Sequence, residues 1–204
     1  KKERVMYSGR GISLPRPTRP LQKFGIVYLL PKEARDYHEK LCLEIEKEFG
    51  LTGNTQFTSP SHITMKYRFA SPNIRAVQGI LDDFTRSQAK TAWSLDGFAH
   101  FVHPGNRVIF IDVKPSPATR LAHARLLGQL KQLDWMEWNS FDGDNLHYHV
   151  TVANQGLTAQ NFDAVWQFVK QKQRPRFDLC LDNLTLLKIE AEHHTVYRRY
   201  RFRS

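Results

Sequence analysis

This sequence of 204 residues has no long apolar run and only two cysteines. No segment reaches the roughly 18 apolar residues of a membrane-spanning helix, and the start, residues 1–4, lacks the apolar part of a signal peptide. The two cysteines, Cys42 and Cys180, are too few for a disulfide framework and are expected to be free thiols of a reducing compartment. These absences predict a cytoplasmic protein without a membrane partner.

Low-complexity composition is also absent. An apolar fraction of 41% with 12% aromatic residues supports a packed core, and the length suits one domain or two closely joined lobes. Residues 1–22 are rich in Arg, Pro and Gly and are expected to form an extended basic arm. A single domain is predicted over residues 23–204.

Acidic residues are scarce at both ends of the chain. Of the net charge of +10, residues 1–20 carry +5 and residues 197–203 carry +4, so the remaining body is nearly neutral. Basic charge interleaved with aromatic residues suits a polyanion whose bases can stack, which favours RNA or an oligonucleotide as partner. The alternative is a solvated tail and an edge strand protected by arginines.

A nine-residue pattern occurs twice, over residues 61–69 and 146–154. Both copies alternate and are rich in β-branched and aromatic residues, which predicts strands. Alternate side chains of a strand share a face, so each His-x-Thr triplet sets an imidazole beside a hydroxyl. The four side chains of these triplets are His62, Thr64, His149 and Thr151, and Lys66 and Arg68 are predicted to share the face of the first pair.

The elements around the two copies also repeat. Each half reads as strand, helix, His-x-Thr strand, helix and strand, which indicates an internal duplication. The halves span about 24–101 and 107–190, and the last two strands, about 177–190 and 194–203, are predicted to form a hairpin. We expect an α+β fold of two lobes, with antiparallel-rich sheets, outer helices and pseudo-twofold symmetry around a central cleft. The predicted helices cover 31–50, a segment from 73 onward, 117–133 and a segment from about Thr158.

Two imidazoles that face each other across a cleft suit the opening of a 2′,3′-cyclic phosphate. One deprotonates water, the other protonates the departing ribose oxygen, and histidine has the pKa for either task. The threonine hydroxyls can donate to the non-bridging oxygens. This chemistry needs no metal. His147 and His149 form a His-x-His pair that could ligate one, but no third or fourth ligand is identifiable.

The paired motifs resemble the 2H phosphoesterase superfamily, in particular its LigT-like branch of 2′-5′ RNA ligases and RNA 2′,3′-cyclic phosphodiesterases. The resemblance covers residues 22–203, including the closing segment with Leu184-Thr-Leu-Leu187, Tyr197 and Phe202. It implies a bilobal fold with a concave cleft, a catalytic histidine pair and two threonines as phosphate ligands, namely His62, His149, Thr64 and Thr151. It also implies activity without a metal or nucleotide cofactor on RNA or an oligonucleotide with a cyclic phosphate end.

The chain departs from the family pattern in two places. After His62-Ile-Thr64 the family often continues Leu-Lys-Phe-Leu-Gly, whereas this chain has Met65-Lys66-Tyr67-Arg68-Phe69. Where the family often has an arginine after the second motif, this chain has Asn154. Lys66 or Arg68 is a candidate to neutralise the phosphate instead. Tyr197 and Arg199 are candidates for a stacking, cationic wall that binds substrate.

The sequence therefore predicts a metal-independent phosphodiesterase that hydrolyses 2′,3′-cyclic phosphate ends to 2′-phosphates, with reverse 2′-5′ ligation by the same pair. The alternatives are a phosphodiesterase for 2′-5′-linked or cyclic oligonucleotides, and a non-catalytic RNA- or nucleotide-binding module. The other histidines near predicted strand ends and turns are expected to face solvent; these are His100, His103, His193 and His194.

Overall fold

A computed structural model describes residues 20–51, 59–143, 146–191 and 193–203. Within them the chain forms eight strands and four helices. The strands are β1 (Lys23–Leu29), β2 (His62–Ala70), β3 (Thr91–His103), β4 (Asn106–Pro115), β5 (His149–Ala153), β6 (Arg176–Leu181), β7 (Asn183–Ile189) and β8 (His194–Arg201). The helices are α1 (Lys32–Phe49), α2 (Ile74–Ser87), α3 (Pro117–Leu130) and α4 (Phe162–Lys170). The predicted basic arm lies almost wholly outside the described residues.

Local signals set the ends of the helices. Gly50 ends α1 in the left-handed region at φ 65°, and its backbone N–H donates to Glu46. Asn73 caps α2, since its side chain accepts a hydrogen bond from the backbone of Ala76. Ser116 caps α3 in the same way. These helix ends therefore lie where a cap satisfies backbone groups that the helix leaves open.

The strands form two four-stranded antiparallel sheets, which confirms the predicted fold class. The first sheet has the order β2-β1-β7-β8 and the second the order β5-β4-β3-β6. The last strand of each half lies in the sheet formed mainly by the other half. β3 of the first half pairs with β4, and β7 of the second half pairs with β1. This exchange ties the two lobes together, and the buried side chains of both belong to one hydrophobic cluster.

The predicted single strand over about 177–190 is wrong, because it is two strands in different sheets. β6 pairs with β3 and β7 pairs with β1, with Asp182 between them. The predicted hairpin of the last two strands is present as β7 and β8. Helix α4 begins at Phe162 rather than near Thr158, because Thr158 and Asn161 bond to each other in a turn that precedes the helix.

The first motif strand carries a bulge directly after its threonine. Val27 of β1 pairs with Thr64, whereas the preceding Ile26 pairs with Lys66, so Met65 is an extra residue. An extra residue breaks the strict alternation of faces. Lys66 therefore does not continue the face that carries the motif.

The second motif strand carries the same irregularity at the same position. Phe110 of β4 pairs with Thr151 and Ile109 pairs with Ala153, which leaves Val152 as the extra residue. The two halves thus share strand pairing as well as sequence order. Helices that are long and apolar enough to span a bilayer do not occur in the described part of the chain.

Candidate active site

The two His-x-Thr strands meet along one seam. β2 and β5 are edge strands of different sheets, and they contact each other directly. A pocket of about 280 Å³ opens there, in which His62 of the first motif lies with Thr151 of the second. Residues of both motifs therefore line one pocket, whereas His149 and Thr64 are not among its described lining residues. Among the residues that the structure describes, the lining consists of His38, Ser59, Pro60, Ser61, His62, Val150, Thr151, Asn154, Gln155 and His194.

Both motif histidines are held in the same way. Nδ1 of His62 lies 2.6 Å from the carbonyl oxygen of Pro60, and Nδ1 of His149 lies 2.7 Å from that of His147. Each carbonyl belongs to the residue two positions earlier. Because a carbonyl oxygen only accepts hydrogen bonds, Nδ1 carries the hydrogen in each ring. In the neutral imidazoles, Nε2 therefore holds the lone pair that can take a proton from substrate or water.

Burial determines the charge of His62. Removal from water lowers its pKa to about 4, and the Pro60 carbonyl opposes this shift by stabilising the protonated ring. Positive charge on neighbouring imidazoles lowers the pKa further; these are His194, His38 and His149. His62 is consequently neutral at physiological pH in the free protein.

His149 has a different electrostatic environment. Burial is the largest effect and keeps its pKa below the usual value; the His147 carbonyl opposes burial, positive charge on the His147 imidazole lowers the pKa further, and the carboxylate of Asp112 raises it. Asp112 is the cross-strand neighbour of His149 on β4. Its Oδ1 lies 2.9 Å from Nε2 of His147, and the ammonium of Lys114 contacts the same carboxylate. A carboxylate thus favours the protonated form at the second motif.

Two phenylalanines support the His149 ring. The ring centroids of Phe101 and Phe110 lie 5.5 Å and 5.0 Å from that of His149. They limit the orientations that this imidazole can adopt. As for a metal, no group of three or more His, Cys, Asp or Glu side chains lies close enough to hold one in the ranges that the structure describes.

A family model supplies the classification. Residues 55–193, more than half of the chain, match the model of the 2′-5′ RNA ligase superfamily. The chain belongs to this superfamily. The predicted resemblance of the chain to the 2H phosphoesterases is thereby confirmed.

Solved structures support the same fold. TT0787 of Thermus thermophilus has a TM-score of 0.61 and 15% identity, covering 89% of this chain and 98% of its own. LigT of E. coli in its apo form has a TM-score of 0.58 and 16% identity, covering 90% of this chain and 98% of its own. LigT complexed with 3′-AMP gives 0.53 and 12%, covering 89% and 98%. No curated protein sequence matches the chain.

Lys66 occupies a structural position in this member of the 2′-5′ RNA ligase superfamily. Its side chain is 0% exposed, and Nζ lies 2.7 Å from Oδ2 of Asp142 and 2.7 Å from the carbonyl oxygen of Glu137. The ring centroid of Trp138 lies 4.8 Å from the same ammonium. This placement corrects the expectation that Lys66 contacts substrate, because a fully buried, paired ammonium cannot reach a phosphate in the cleft.

The paired Lys66 ties the segment before the second motif to the edge of β2. Asp142 also accepts a hydrogen bond from the backbone N–H of Tyr67, at 3.0 Å, and Glu137 accepts one from that of Ala70, at 3.0 Å. Carboxylates therefore satisfy backbone donors of an edge strand that sheet pairing leaves open. Beyond the motif, the edge of β2 is therefore hydrogen-bonded to the segment that precedes the second motif.

Arg68 differs from Lys66 in its exposure to solvent. It is exposed, and its charge is one of the causes that lower the pKa of His194, a residue that lines the pocket. His194 was expected to face solvent, but burial is the main cause of its lowered pKa. It begins β8, which the sequence cannot relate to β2, because the two strands are far apart along the chain and are not neighbours in the sheet.

Tyr197 and Arg199 lie on β8, the edge strand opposite to β2 in the first sheet. Tyr197 packs edge-on against the buried Phe24, with ring centroids 5.2 Å apart. Arg199 lines a groove of about 350 Å³ together with the nearby arginines Arg86, Arg201 and Arg203. The structure does not bring these two predicted residues to the pocket that holds His62.

Asp112 is a site residue that the sequence reading missed. The signal was present, since one carboxylate interrupts the apolar run of residues 107–113. Two buried histidines, His38 of α1 and His123 of α3, were also missed. Their helical positions gave no indication that they contact the motif strands.

Proposed function

We propose that this chain is a metal-independent phosphodiesterase that hydrolyses 2′,3′-cyclic phosphate ends of RNA or oligonucleotides to 2′-phosphates. The carrying observation is the matched pair of motif histidines, His62 and His149, in which Nδ1 bonds to a backbone carbonyl and Nε2 is the nitrogen left to exchange a proton. Membership of the 2′-5′ RNA ligase superfamily supports the reaction class. LigT has been solved with 3′-AMP and with ATP, which supports a nucleotide ligand.

In the proposed reaction, a water oxygen attacks phosphorus and the bond from phosphorus to O3′ breaks. One imidazole takes the proton of the water, and the other gives its proton to O3′, which leaves as a hydroxyl. The product is a 2′-phosphate. Proton exchange with solvent then returns each imidazole to its starting protonation state. Run in the same direction with an RNA 5′-hydroxyl in place of water, the same steps form a 2′-5′ linkage, and their reverse cleaves that linkage to a 2′,3′-cyclic phosphate and a 5′-hydroxyl.

The electrostatic environments of His62 and His149 support different roles for the two histidines. His62 is the proposed base, because its pKa of about 4 keeps it neutral before water is deprotonated. His149 is the proposed acid, because the Asp112 carboxylate offsets part of the lowering of its pKa, whereas no carboxylate of the described residues acts on the pKa of His62. A bound anionic phosphate would raise the pKa of both rings and so help to protonate His149.

Thr64 and Thr151 are the proposed phosphate ligands. Each follows its histidine by two positions on the same strand, and Thr151 lines the pocket together with His62. Hydroxyls in these positions can donate to the non-bridging oxygens as charge develops on them. Arg68 is the proposed cationic contact, because it is exposed and lies close to His194.

The test is turnover of an RNA oligonucleotide with a 2′,3′-cyclic phosphate end, in the presence of chelator. The variants are His62→Ala and His149→Ala. The loss of one general acid or base is expected to lower kcat by a factor of about 100 or more. The matched control is His100→Ala, because His100 packs against Trp166 of α4, 4.8 Å between ring centroids, and lies outside the pocket.

Each outcome is informative. Turnover that is lost in both motif variants and kept in the His100 variant supports the proposal. A wild-type protein that binds the oligonucleotide but leaves its end intact would favour a binding module or another phosphodiester substrate. Activity that chelator abolishes would show a metal hydrolase instead.

A further inference from the structure

A buried histidine of α1 bonds to groups of both motif segments at the seam between β2 and β5. Nε2 of His38 lies 2.7 Å from the carbonyl oxygen of Thr151, and Nδ1 lies 2.8 Å from Oγ of Ser61. The carbonyl can only accept, so Nε2 donates to it and Nδ1 accepts from the hydroxyl. His38 thus joins the second motif strand to the residue that precedes His62.

A histidine of α3 makes the corresponding connection from the other half. Nε2 of His123 lies 2.5 Å from the carbonyl oxygen of Met65, and Nδ1 lies 2.7 Å from the hydroxyl of Tyr148. The same argument makes Nε2 the donor and Nδ1 the acceptor. His123 thus joins the first motif strand to the residue that precedes His149.

The two connections are related by the duplication. His38 and His123 are each the seventh residue of their helix, and they are 7% and 3% exposed. Each accepts from the hydroxyl of the residue just before a motif histidine and donates to a carbonyl of the opposite motif strand. Burial lowers the pKa of both, so both are neutral and keep one donor and one acceptor.

We propose that His38 and His123 are positioning residues that hold the two His-x-Thr strands at the spacing and rotation that catalysis needs. This proposal rests on the proposed function of the site. An imidazole is rigid and offers a donor and an acceptor on different sides, so each ring fixes two strands relative to its helix. A burial role alone would be served by an apolar side chain of similar volume.

Loss of the hydrogen bonds made by His38 or His123 is expected to slow the chemical step. In-line displacement requires an imidazole on each side of phosphorus, and the two imidazoles stand on different sheets. A shift of about 1 Å between them can lower the rate by a factor of about 100, while the groups that bind the nucleotide remain in place. The expected signature is therefore a lower kcat with an almost unchanged KM.

The experiment compares His38→Leu and His123→Leu with His38→Gln and His123→Gln, well below the unfolding temperature of every variant. The leucine variants should lower kcat by about tenfold or more with KM within about twofold, and glutamine, which keeps a donor and an acceptor, should restore most of it. Thr119→Val is the matched control. Thr119 is a buried residue of α3 whose hydroxyl bonds to the Ala92 carbonyl at 2.8 Å, on β3 rather than on a motif strand.

A second measurement does not depend on turnover. The imidazole Hε1 chemical shifts of His62 and His149 are followed by NMR in protein with labelled histidine. They should move in the leucine variants and stay in place in Thr119→Val. If the leucine variants do not fold, Ser61→Ala and Tyr148→Phe remove only the hydroxyls that bond to His38 and His123, and should shift the same resonances.

The proposal is overturned if the resonances of the motif histidines do not move, or if folded leucine variants keep the wild-type kcat. It is also overturned if Thr119→Val lowers kcat as strongly as they do, because the effect would then be one of general stability. A wild-type protein that does not turn over the cyclic phosphate would refute the proposed function, while the chemical shifts would still decide whether the two histidines position the motifs.

Discussion

The two motif strands are copies in their backbone and differ in what lies beside them. In both, Nδ1 of the motif histidine donates to the carbonyl two residues earlier, and one extra residue directly follows the motif threonine. On the pairing strand, however, the neighbour of His62 is Leu29, whereas the neighbour of His149 is Asp112. The duplication thus supplied two equivalent imidazoles, and one cross-strand position gave them different electrostatic environments.

This difference bears on how a symmetrical scaffold can carry out an asymmetrical reaction. Acid and base must hold different protonation states at the same pH. An apolar neighbour keeps a buried imidazole neutral, and a carboxylate neighbour favours the imidazolium. Three predictions test the comparison between the halves.

The largest expected effect concerns the residue that follows the bulge, which is Lys66 in the first half and Ala153 in the second. Lys66→Met leaves the carboxylate of Asp142 buried without its cation. Loss of one partner of a buried ion pair costs about 3–5 kcal/mol of the free energy of unfolding. Denaturant unfolding measures this loss.

The control for this prediction is the double variant Lys66→Met with Asp142→Asn. It removes the unpaired buried charge of Asp142 and keeps an acceptor for the backbone N–H of Tyr67. Much of the lost free energy of unfolding should therefore return. Single and double variants of equal stability would contradict the structural role of the pair.

The second expected effect is on catalysis and should be alike in the two halves. Thr64→Val and Thr151→Val keep the side-chain volume and remove one proposed donor each. Loss of one such donor lowers kcat by about 100-fold in comparable sites. Steady-state kinetics measure it, and Thr85→Val, a buried hydroxyl bonded within α2, is the control. A large loss in one variant alone would show that only one threonine binds the phosphate.

The smallest expected effect is on pH dependence. Asp112→Asn removes the charge that favours protonated His149, so the pKa of His149 falls further. The rate requires this proton, so the decline at alkaline pH should begin at lower pH, with about a tenfold loss per pH unit above the pKa. Measurement of kcat/KM over about pH 5–9 tests this. An unmoved alkaline limb would refute the role of Asp112 and the assignment of His149 as acid.

Local sequence patterns predicted the strands and the pairing of motifs well. Alternation located β2 and β5, and the repeated order of elements indicated two related lobes. The same rule of alternation was wrong for Lys66, because a bulge changes which face a residue occupies. It also merged β6 and β7, because a sequence pattern shows an extended segment but not the sheet that each part joins.

The sequence by itself determined that each motif sets a histidine and a threonine on one strand, in the residues proposed for the chemistry, His62, Thr64, His149 and Thr151, because residue type and a spacing of two depend only on the local geometry of a strand. The tertiary structure decided which residues surround them. His38 and His123 lie on helices far along the chain from the carbonyl groups to which they donate. His194 lies on the last strand, β8. Such contacts arise from packing between sheets and helices, which no local pattern encodes.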